Sequence, residues 1–174
     1  MERCVTAFRA GRRVAAGGMA EVAKALAGQD PALVIDDTTG GVVDLDLSGG
    51  ATAIAARYAP APRGPGRPKL GVVAREVTLL PRHWEWLNAQ PGGASASLRK
   101  LVDAARRAPE ARRRAAQDAA YQAMQALAGD LPGYEEALRA LFASDETAFA
   151  ARIADWPGDL RAYALQLARG DAAG

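Results

Sequence analysis

The sequence predicts an α+β fold whose C-terminal half is mainly helical. Alanine is abundant and aromatic residues make up only 6% of the chain, a composition that favours helices packed through small side chains. Residues 1–59 contain both short strand-like runs, which are β-branched or alternate between apolar and polar residues, and stretches with helical periodicity. From residue 110 onward the periodicity is helical throughout. The 174 residues are enough to bury a hydrophobic core.

Residues 1–59 are predicted to form a small α+β unit. The alternation of Val43, Leu45 and Leu47 with acidic residues is typical of a half-buried strand, and the DTTGG run at 37–41 suits a hairpin connection. The predicted elements are strands at 4–9, 12–16, 32–36 and 42–47 and helices at 19–26 and 51–58.

Residues 60–72 are predicted to be an extended linker. The run from 59 to 69 contains four prolines and two glycines, which regular secondary structure does not tolerate. The linker separates the N-terminal unit from a central segment at 73–108 and a helical bundle segment at 109–174.

The central segment is predicted to form one strand and two helices. Val73–Leu79 is the strand candidate, and Pro81 suits the first position of a helix that runs to Gln90. After the Pro-Gly-Gly turn, Ser95 or Ser97 can cap a second helix. The apolar residues of this helix have helical spacing and are Leu98, Leu101, Val102 and Ala105.

Charge is distributed unevenly along the chain. Residues 60–114 contain twelve Arg and Lys and four Asp and Glu, a net charge of +8, whereas residues 115–174 have a net charge of −5. Such a basic block indicates polyanion binding. It is equally compatible with a solvated surface that pairs with the acidic C-terminal part.

The turn Gly93-Ala94-Ser95-Ala96-Ser97, with the strand and helices around it, resembles the ribbon-helix-helix fold of DNA-binding proteins. The turn of that family often has the pattern Gly-x-Ser-x-Ser. The resemblance implies a homodimer whose paired strands enter the major groove, with a phosphate at the N-terminus of the second helix. Thr78 would face outward together with Ala74 and Glu76, and the carboxylate of Glu76 departs from the family pattern. The same turn is also compatible with an ordinary helix start.

Gly66-Arg67-Pro68-Lys69, with Arg63 upstream, resembles part of an AT-hook, which binds the A·T minor groove. Pro65 stands where that motif has arginine, so an ordinary proline-rich linker is the alternative. The candidate DNA-binding residues, in contact with phosphate or groove, are Arg63, Arg67, Lys69, Thr78, Ser95, Ser97, Arg99 and Lys100.

Three stretches of the sequence are similar to an uncharacterised bacterial family, domain of unknown function 2239. They are GRPKLGVVAREVTLLPRHWEWL at 66–87, QPGGASASLRKLVDAARR at 90–107 and AGDLPGYEEALRALF at 128–142. The IDDTTG…VDLDL run in the N-terminal unit fits as well. The resemblance implies a bacterial origin and one architecture, and it implies no activity, cofactor or catalytic residue.

Several classes of function are not expected. Cys4 and His83 are the single cysteine and histidine, so neither an intrachain disulfide nor a site with two histidine ligands can form within one chain. The sequence has no nucleophile elbow, Walker loop, dinucleotide-binding fingerprint or His-Glu-x-x-His motif. We therefore expect no enzyme, no catalytic residue, no cofactor and no metal. The apolar runs are too short to span a bilayer and the N-terminus has no apolar signal region, so we expect a cytoplasmic protein that does not enter a membrane.

These observations predict a DNA-binding homodimer that acts as a regulator of transcription or as a nucleoid-associated factor. One alternative is a non-catalytic protein–protein adaptor whose basic centre docks on acidic helices. A third possibility is an enzyme or metal binder that uses the hairpin aspartates at 36–46, since carboxylates can hold Mg²⁺ or Ca²⁺. Acidic residues that keep a strand soluble would give the same pattern.

Overall fold

The computed structural model describes residues 3–59 and 71–171. They form an α+β fold, as predicted, with three strands and eight helices in these two ranges. The elements in chain order are β1 (Cys4–Arg9), β2 (Arg12–Gly18), α1 (Met19–Leu26), β3 (Leu33–Asp36), α2 (Gly50–Arg57), α3 (Pro81–Asn88), α4 (Gly93–Arg107), α5 (Pro109–Ala128), α6 (Tyr134–Phe142), α7 (Glu146–Arg152) and α8 (Gly158–Arg169). None of these helices is long and apolar enough to cross a bilayer.

Contacts divide the chain into two compact units. Unit 1 comprises residues 1–59 and 112–174, and unit 2 comprises residues 60–111. The N-terminal segment and the C-terminal helices therefore belong to one unit, although the sequence placed them in separate consecutive segments. Most of the predicted linker, at 60–70, lies outside the described residues.

The antiparallel sheet of unit 1 has the strand order β2-β1-β3. The central strand β1 has its residues from Val5 to Phe8 all buried. Ala10 and Gly11 make the β1–β2 turn with positive φ angles of 48° and 75°. Strand β2 extends to Gly18, two residues beyond its predicted end.

Two hydrophobic clusters hold unit 1 together. One contains Phe8 of β1 and Ile35 of β3, packed with residues of α5 to α8 such as Phe149 and Tyr163. The other joins Val5 and Ala7 of β1, Val22 and Leu26 of α1 and Val34 of β3. The sheet is therefore apolar on both sides, because one side packs on α1 and the other on the C-terminal helices.

The predicted strand at 42–47 is not a regular strand. Its only ladder contact in the described residues is the isolated bridge between Val42 and Ile35, supported by a 2.8 Å hydrogen bond from the Val43 N–H to the Val34 carbonyl. The predicted alternation is nevertheless present, since Val43, Leu45 and Leu47 pack against the cluster around α1. These side chains therefore make their apolar contacts although the backbone forms no continuous ladder of strand hydrogen bonds.

The predicted strand at 73–79 is also not formed in this single chain. Residues 71–80 have neither helical nor strand structure, and all except the half-buried Leu79 are exposed. A strand needs a neighbour for its backbone hydrogen bonds, and the described residues provide none for this segment. In unit 2, α3 and α4 pack against each other, with Leu87 buried at 3% exposure.

Candidate nucleic-acid interface

A glycine turn positions the N-terminus of α4. Gly92 precedes the helix with a φ of 91°, a left-handed conformation that residues with a Cβ rarely adopt. The Gly93 N–H donates a 2.9 Å hydrogen bond to the Gln90 carbonyl, which closes the turn after α3. The Gln90 side chain in turn donates to the Trp86 carbonyl at 3.2 Å.

The helix begins earlier than predicted, so the two serines have different roles from those expected. The helix starts at Gly93 with Gly92 as its cap, and no side chain caps it. Gly92 adopts the left-handed conformation of this turn without steric cost. Ser95 and Ser97 therefore lie within the first two turns, and neither caps the helix.

The surface of α4 is divided between an apolar and a basic face. At 3.6 residues per turn, Leu98, Leu101 and Ala105 project to one side. The opposite side carries four cations and one acid, which are Arg99, Lys100, Asp103, Arg106 and Arg107. Leu101 and Val102 are 48% and 54% exposed, so unit 2 leaves much of the apolar side uncovered.

Ser95 and Arg99 are joined directly. The Arg99 Nη1 donates a 3.1 Å hydrogen bond to the Ser95 hydroxyl oxygen, one turn earlier on the helix. This contact holds the guanidinium toward the N-terminal end of α4. The first turn of a helix has unpaired backbone N–H groups and a partial positive charge, so Arg99 adds a full charge where an anion is already favoured.

The predicted DNA-binding residues fall into three groups. Thr78, Ser95, Arg99 and Lys100 are exposed, and the last three lie on α4. Ser97 is only 6% exposed, so the described conformation does not present it to a ligand. Arg63, Arg67 and Lys69 lie outside the described residues.

Arg106 and Arg107 continue the basic side of α4 by two turns. Ala108 ends the helix and Pro109 begins α5, so both arginines belong to α4 and not to the next basic run. The ion pairs among residues 3–59 and 71–171 involve Arg3, Arg57 and Arg139. The cations of α4 therefore form no ion pair in the described part of the chain.

The hairpin aspartates of unit 1 do not converge on one site. Asp36 and Asp37 are buried at 3% exposure each, whereas Asp44 and Asp46 are exposed. The described residues contain no group of three or more His, Cys, Asp or Glu side chains that could hold a metal ion. Asp46 instead accepts hydrogen bonds from Ser48, which lower its pKa.

Asp36 organises the turn after β3. Its Oδ1 accepts hydrogen bonds from the backbone N–H groups of Thr38 and Thr39 at 2.8 and 2.9 Å, and its Oδ2 accepts one from Arg3. Burial alone would raise the pKa of Asp36, but these hydrogen bonds and the charge of Arg3 outweigh it and lower the pKa below its ordinary value of 3.8. Asp36 is therefore an internal anchor of unit 1.

Asp37 connects the same turn to α8. The Tyr163 hydroxyl donates a 2.7 Å hydrogen bond to Asp37 Oδ1, while Asp37 Oδ2 has no partner among the described residues. Burial, followed by the contact with Asp37, raises the pKa of Tyr163, so its hydroxyl stays protonated and remains a donor. Sequence reasoning missed Tyr163, because its contact with Asp37 joins residues that are 126 positions apart.

Comparison with known proteins gives one family. Neither a curated protein nor a solved structure matches the chain. The family model described as an uncharacterised protein conserved in bacteria (DUF2239) matches residues 4–168. The match covers unit 1 and unit 2 and confirms the resemblance inferred from the three sequence stretches. The chain therefore belongs to this bacterial family.

Proposed function

We propose that this protein is a DNA-binding homodimer that acts as a regulator or nucleoid-associated factor in the bacterial cytoplasm. The observation that carries the proposal is the basic side of α4. Arg99 and Lys100 are exposed near the N-terminus of the helix, and Arg106 and Arg107 continue that side. Arginine and lysine in this arrangement can each neutralise a phosphate of a nucleic-acid backbone.

The protein–protein adaptor is the main alternative, and it makes a different prediction for the same cations. In an adaptor the basic centre docks on acidic helices, so its arginines and lysines would be neutralised by carboxylates. Among the described residues of unit 2, no cation of α4 forms an ion pair. The basic side is therefore open to an external polyanion, and duplex DNA is the polyanion that we propose.

The proposed role is non-catalytic. Asp36 accepts hydrogen bonds from its own turn and Asp37 accepts one from Tyr163, whereas Asp44 and Asp46 are exposed. This placement supports a structural role for the hairpin, so we do not propose a reaction that uses it.

Removing two charges from α4 tests the proposal directly. Fluorescence anisotropy with a mixed-sequence DNA duplex measures the dissociation constant of the wild type and of the Arg99→Ala, Lys100→Ala variant. We expect the variant to bind at least about tenfold more weakly, because each lost phosphate contact removes counterion release.

The matched control removes two exposed arginines of unit 1. Arg152 and Arg169 are exposed on α7 and α8, and their double alanine variant has the same net charge as the α4 variant. We expect this control to bind DNA nearly as the wild type does. Equal weakening by both variants would show that overall charge, and not α4, accounts for binding.

A further inference from the structure

Asp103 is the single acidic residue of α4, and it lies at the centre of the basic side. The four cations of this side are three or four residues away from it in the sequence, two toward each end of the helix; they are Arg99, Lys100, Arg106 and Arg107. Residues at these spacings are neighbours of Asp103 on the helix surface. All five side chains are exposed. The carboxylate is therefore surrounded by cations on a surface that is open to a ligand.

The four cations form two basic rows along the helix. Arg99 and Arg106 make one row, and Lys100 and Arg107 make the other. The two members of each row are seven residues apart, which is about 10 Å along the helix axis. The rows are about 100° apart around the axis, and Asp103 lies midway between them. The basic side thus has two positively charged flanks and a negatively charged centre.

Asp103 does not act as an ion-pair partner within the helix. Among the described residues of unit 2, it forms no ion pair with any of its four neighbours. Arg99 is directed toward the preceding turn, because its Nη1 donates a 3.1 Å hydrogen bond to the Ser95 hydroxyl. The carboxylate of Asp103 is therefore available to a ligand as a hydrogen-bond acceptor.

This arrangement fits the major groove of duplex DNA. The groove is about 12 Å wide, and an α-helix with its side chains has a diameter of about 10–12 Å. Residues 99–107 are all exposed, so no described part of the chain covers this length of α4. When a helix lies in the major groove, its flanks face the phosphate backbones and the centre of its inner side faces the base edges. The two basic rows would then contact phosphates, and Asp103 would contact a base.

The chemistry of a carboxylate determines which base it prefers, because it accepts hydrogen bonds and donates none. In the major groove cytosine presents the N4 amino donor, whereas guanine and thymine present acceptors that repel a carboxylate. Adenine presents its N6 donor beside the N7 acceptor. We infer that Asp103 reads a cytosine in the major groove while the two basic rows bind the phosphates on either side. This inference rests on the proposed function and specifies the base preference of the same site.

Asp103→Asn tests the inference, because an asparagine amide favours a different base. A pool of duplexes with a randomised centre is equilibrated with the full chain, and the bound and free fractions are sequenced. We expect the wild type to enrich a C·G pair at one position by about fivefold or more over the other pairs. Asp103→Asn should move this preference to A·T, since an asparagine side chain pairs with both N6 and N7 of adenine.

Glu85→Gln is the matched control for Asp103→Asn. Glu85 is an exposed acid of α3 in the same unit, and its substitution removes the same charge. We expect the control to keep the C·G preference of the wild type. Circular dichroism of both variants checks that the helices are kept, so that a change of base preference is not confused with unfolding.

The outcomes separate this inference from the proposed function. Equal binding of all sequences, or a preference that Asp103→Asn leaves unchanged, would overturn base reading by Asp103 and leave DNA binding intact. Tighter binding of every sequence by Asp103→Asn, with no change of preference, would show that the carboxylate only repels phosphates. No binding of the pool by the wild type at low salt would contradict the proposed function as well.

Discussion

Asp36 shows how a single buried carboxylate makes the stability of unit 1 depend on pH. Its pKa is below 3.8 in the folded protein because hydrogen bonds from Arg3, Thr38 and Thr39 outweigh the effect of burial. A carboxyl group whose pKa falls on folding stabilises the folded state above its unfolded pKa. This stabilisation is lost as the pH falls through the folded pKa.

The pH dependence of Asp36→Asn tests this linkage. We expect the variant to be less stable than the wild type at neutral pH, with a difference that shrinks as the pH falls below about 4. Urea unfolding between about pH 7 and pH 3 measures it. Asp44→Asn removes an exposed carboxylate and serves as the control. If the difference in the free energy of unfolding between wild type and Asp36→Asn stayed constant across this range, the pH dependence attributed to Asp36 would be contradicted.

The buried pair of Tyr163 and Asp37 yields a second prediction at the scale of single residues. Tyr163→Phe removes the hydrogen bond to Asp37 Oδ1 and leaves both oxygens of a buried carboxylate without a partner among residues 3–59 and 71–171. We expect a loss of about 1–3 kcal/mol in the free energy of unfolding, because an unsatisfied buried acceptor costs its desolvation energy. Urea denaturation measures the loss.

Tyr121→Phe is the matched control for Tyr163→Phe. Tyr121 is half-buried and its ring packs against Phe142 with ring centroids 5.9 Å apart and an angle of 54° between the ring planes. The control should change the free energy of unfolding by less than about 0.5 kcal/mol. Equal losses in the two variants would show that the Tyr163 hydroxyl has no special role.

At the scale of elements, Gly40 is the closest contact between the turn after β3 and α5. Gly40 has a φ of +70°, and a Cβ added to it would lie 1.8 Å from the Ala119 carbonyl oxygen. Gly28 has nearly the same φ, +71°, but a Cβ added there would have nothing within 4 Å of it among the described residues. Comparing substitutions at the two glycines therefore separates the energetic cost of backbone strain from the cost of steric contact.

Substitution of each glycine by alanine measures the packing of the turn on α5. Both variants should lose about 1–2 kcal/mol from left-handed backbone strain. Gly40→Ala should show a further loss of about 1–3 kcal/mol, because the turn and helix must move apart. Thermal unfolding followed by circular dichroism compares them. Equal effects would contradict a close approach of the turn to α5.

The elements also show which parts of the fold a sequence can predict. The helix at 19–26 was predicted with its observed bounds, because helical spacing is a local pattern that Val22 and Leu26 satisfy within two turns. The segments at 42–47 and 73–79 have a strand pattern without a strand ladder, because pairing depends on a neighbour that the local pattern does not specify.

The candidate site was predictable to a similar degree. The basic side of α4 follows from the helical spacing of its residues, and Arg99 and Lys100 are exposed in the structure. Burial of Ser97 was not predictable, because it depends on where α4 begins and on how it packs in unit 2. The contact of Tyr163 with Asp37 was likewise beyond sequence reasoning, since nothing local to either residue indicates the other.

At the scale of the whole molecule, buried apolar residues are concentrated in unit 1 and positive charge is concentrated in unit 2. Unit 1 contains both hydrophobic clusters, whereas the basic block at 60–114, with a net charge of +8, largely coincides with unit 2. A unit with few buried residues and many cations is suited to bind other molecules. This distribution is the basis of the proposed function.

The salt dependence of DNA binding tests the central claim most directly. The dissociation constant for a mixed-sequence duplex is measured by anisotropy over a salt series for the wild type and for the Arg99→Ala, Lys100→Ala variant. If the two side chains each contact one phosphate per chain, the log–log slope should decrease in magnitude by about 1.8 per chain in the variant. An unchanged slope, or no binding of the wild type even at low salt, would contradict DNA binding through α4.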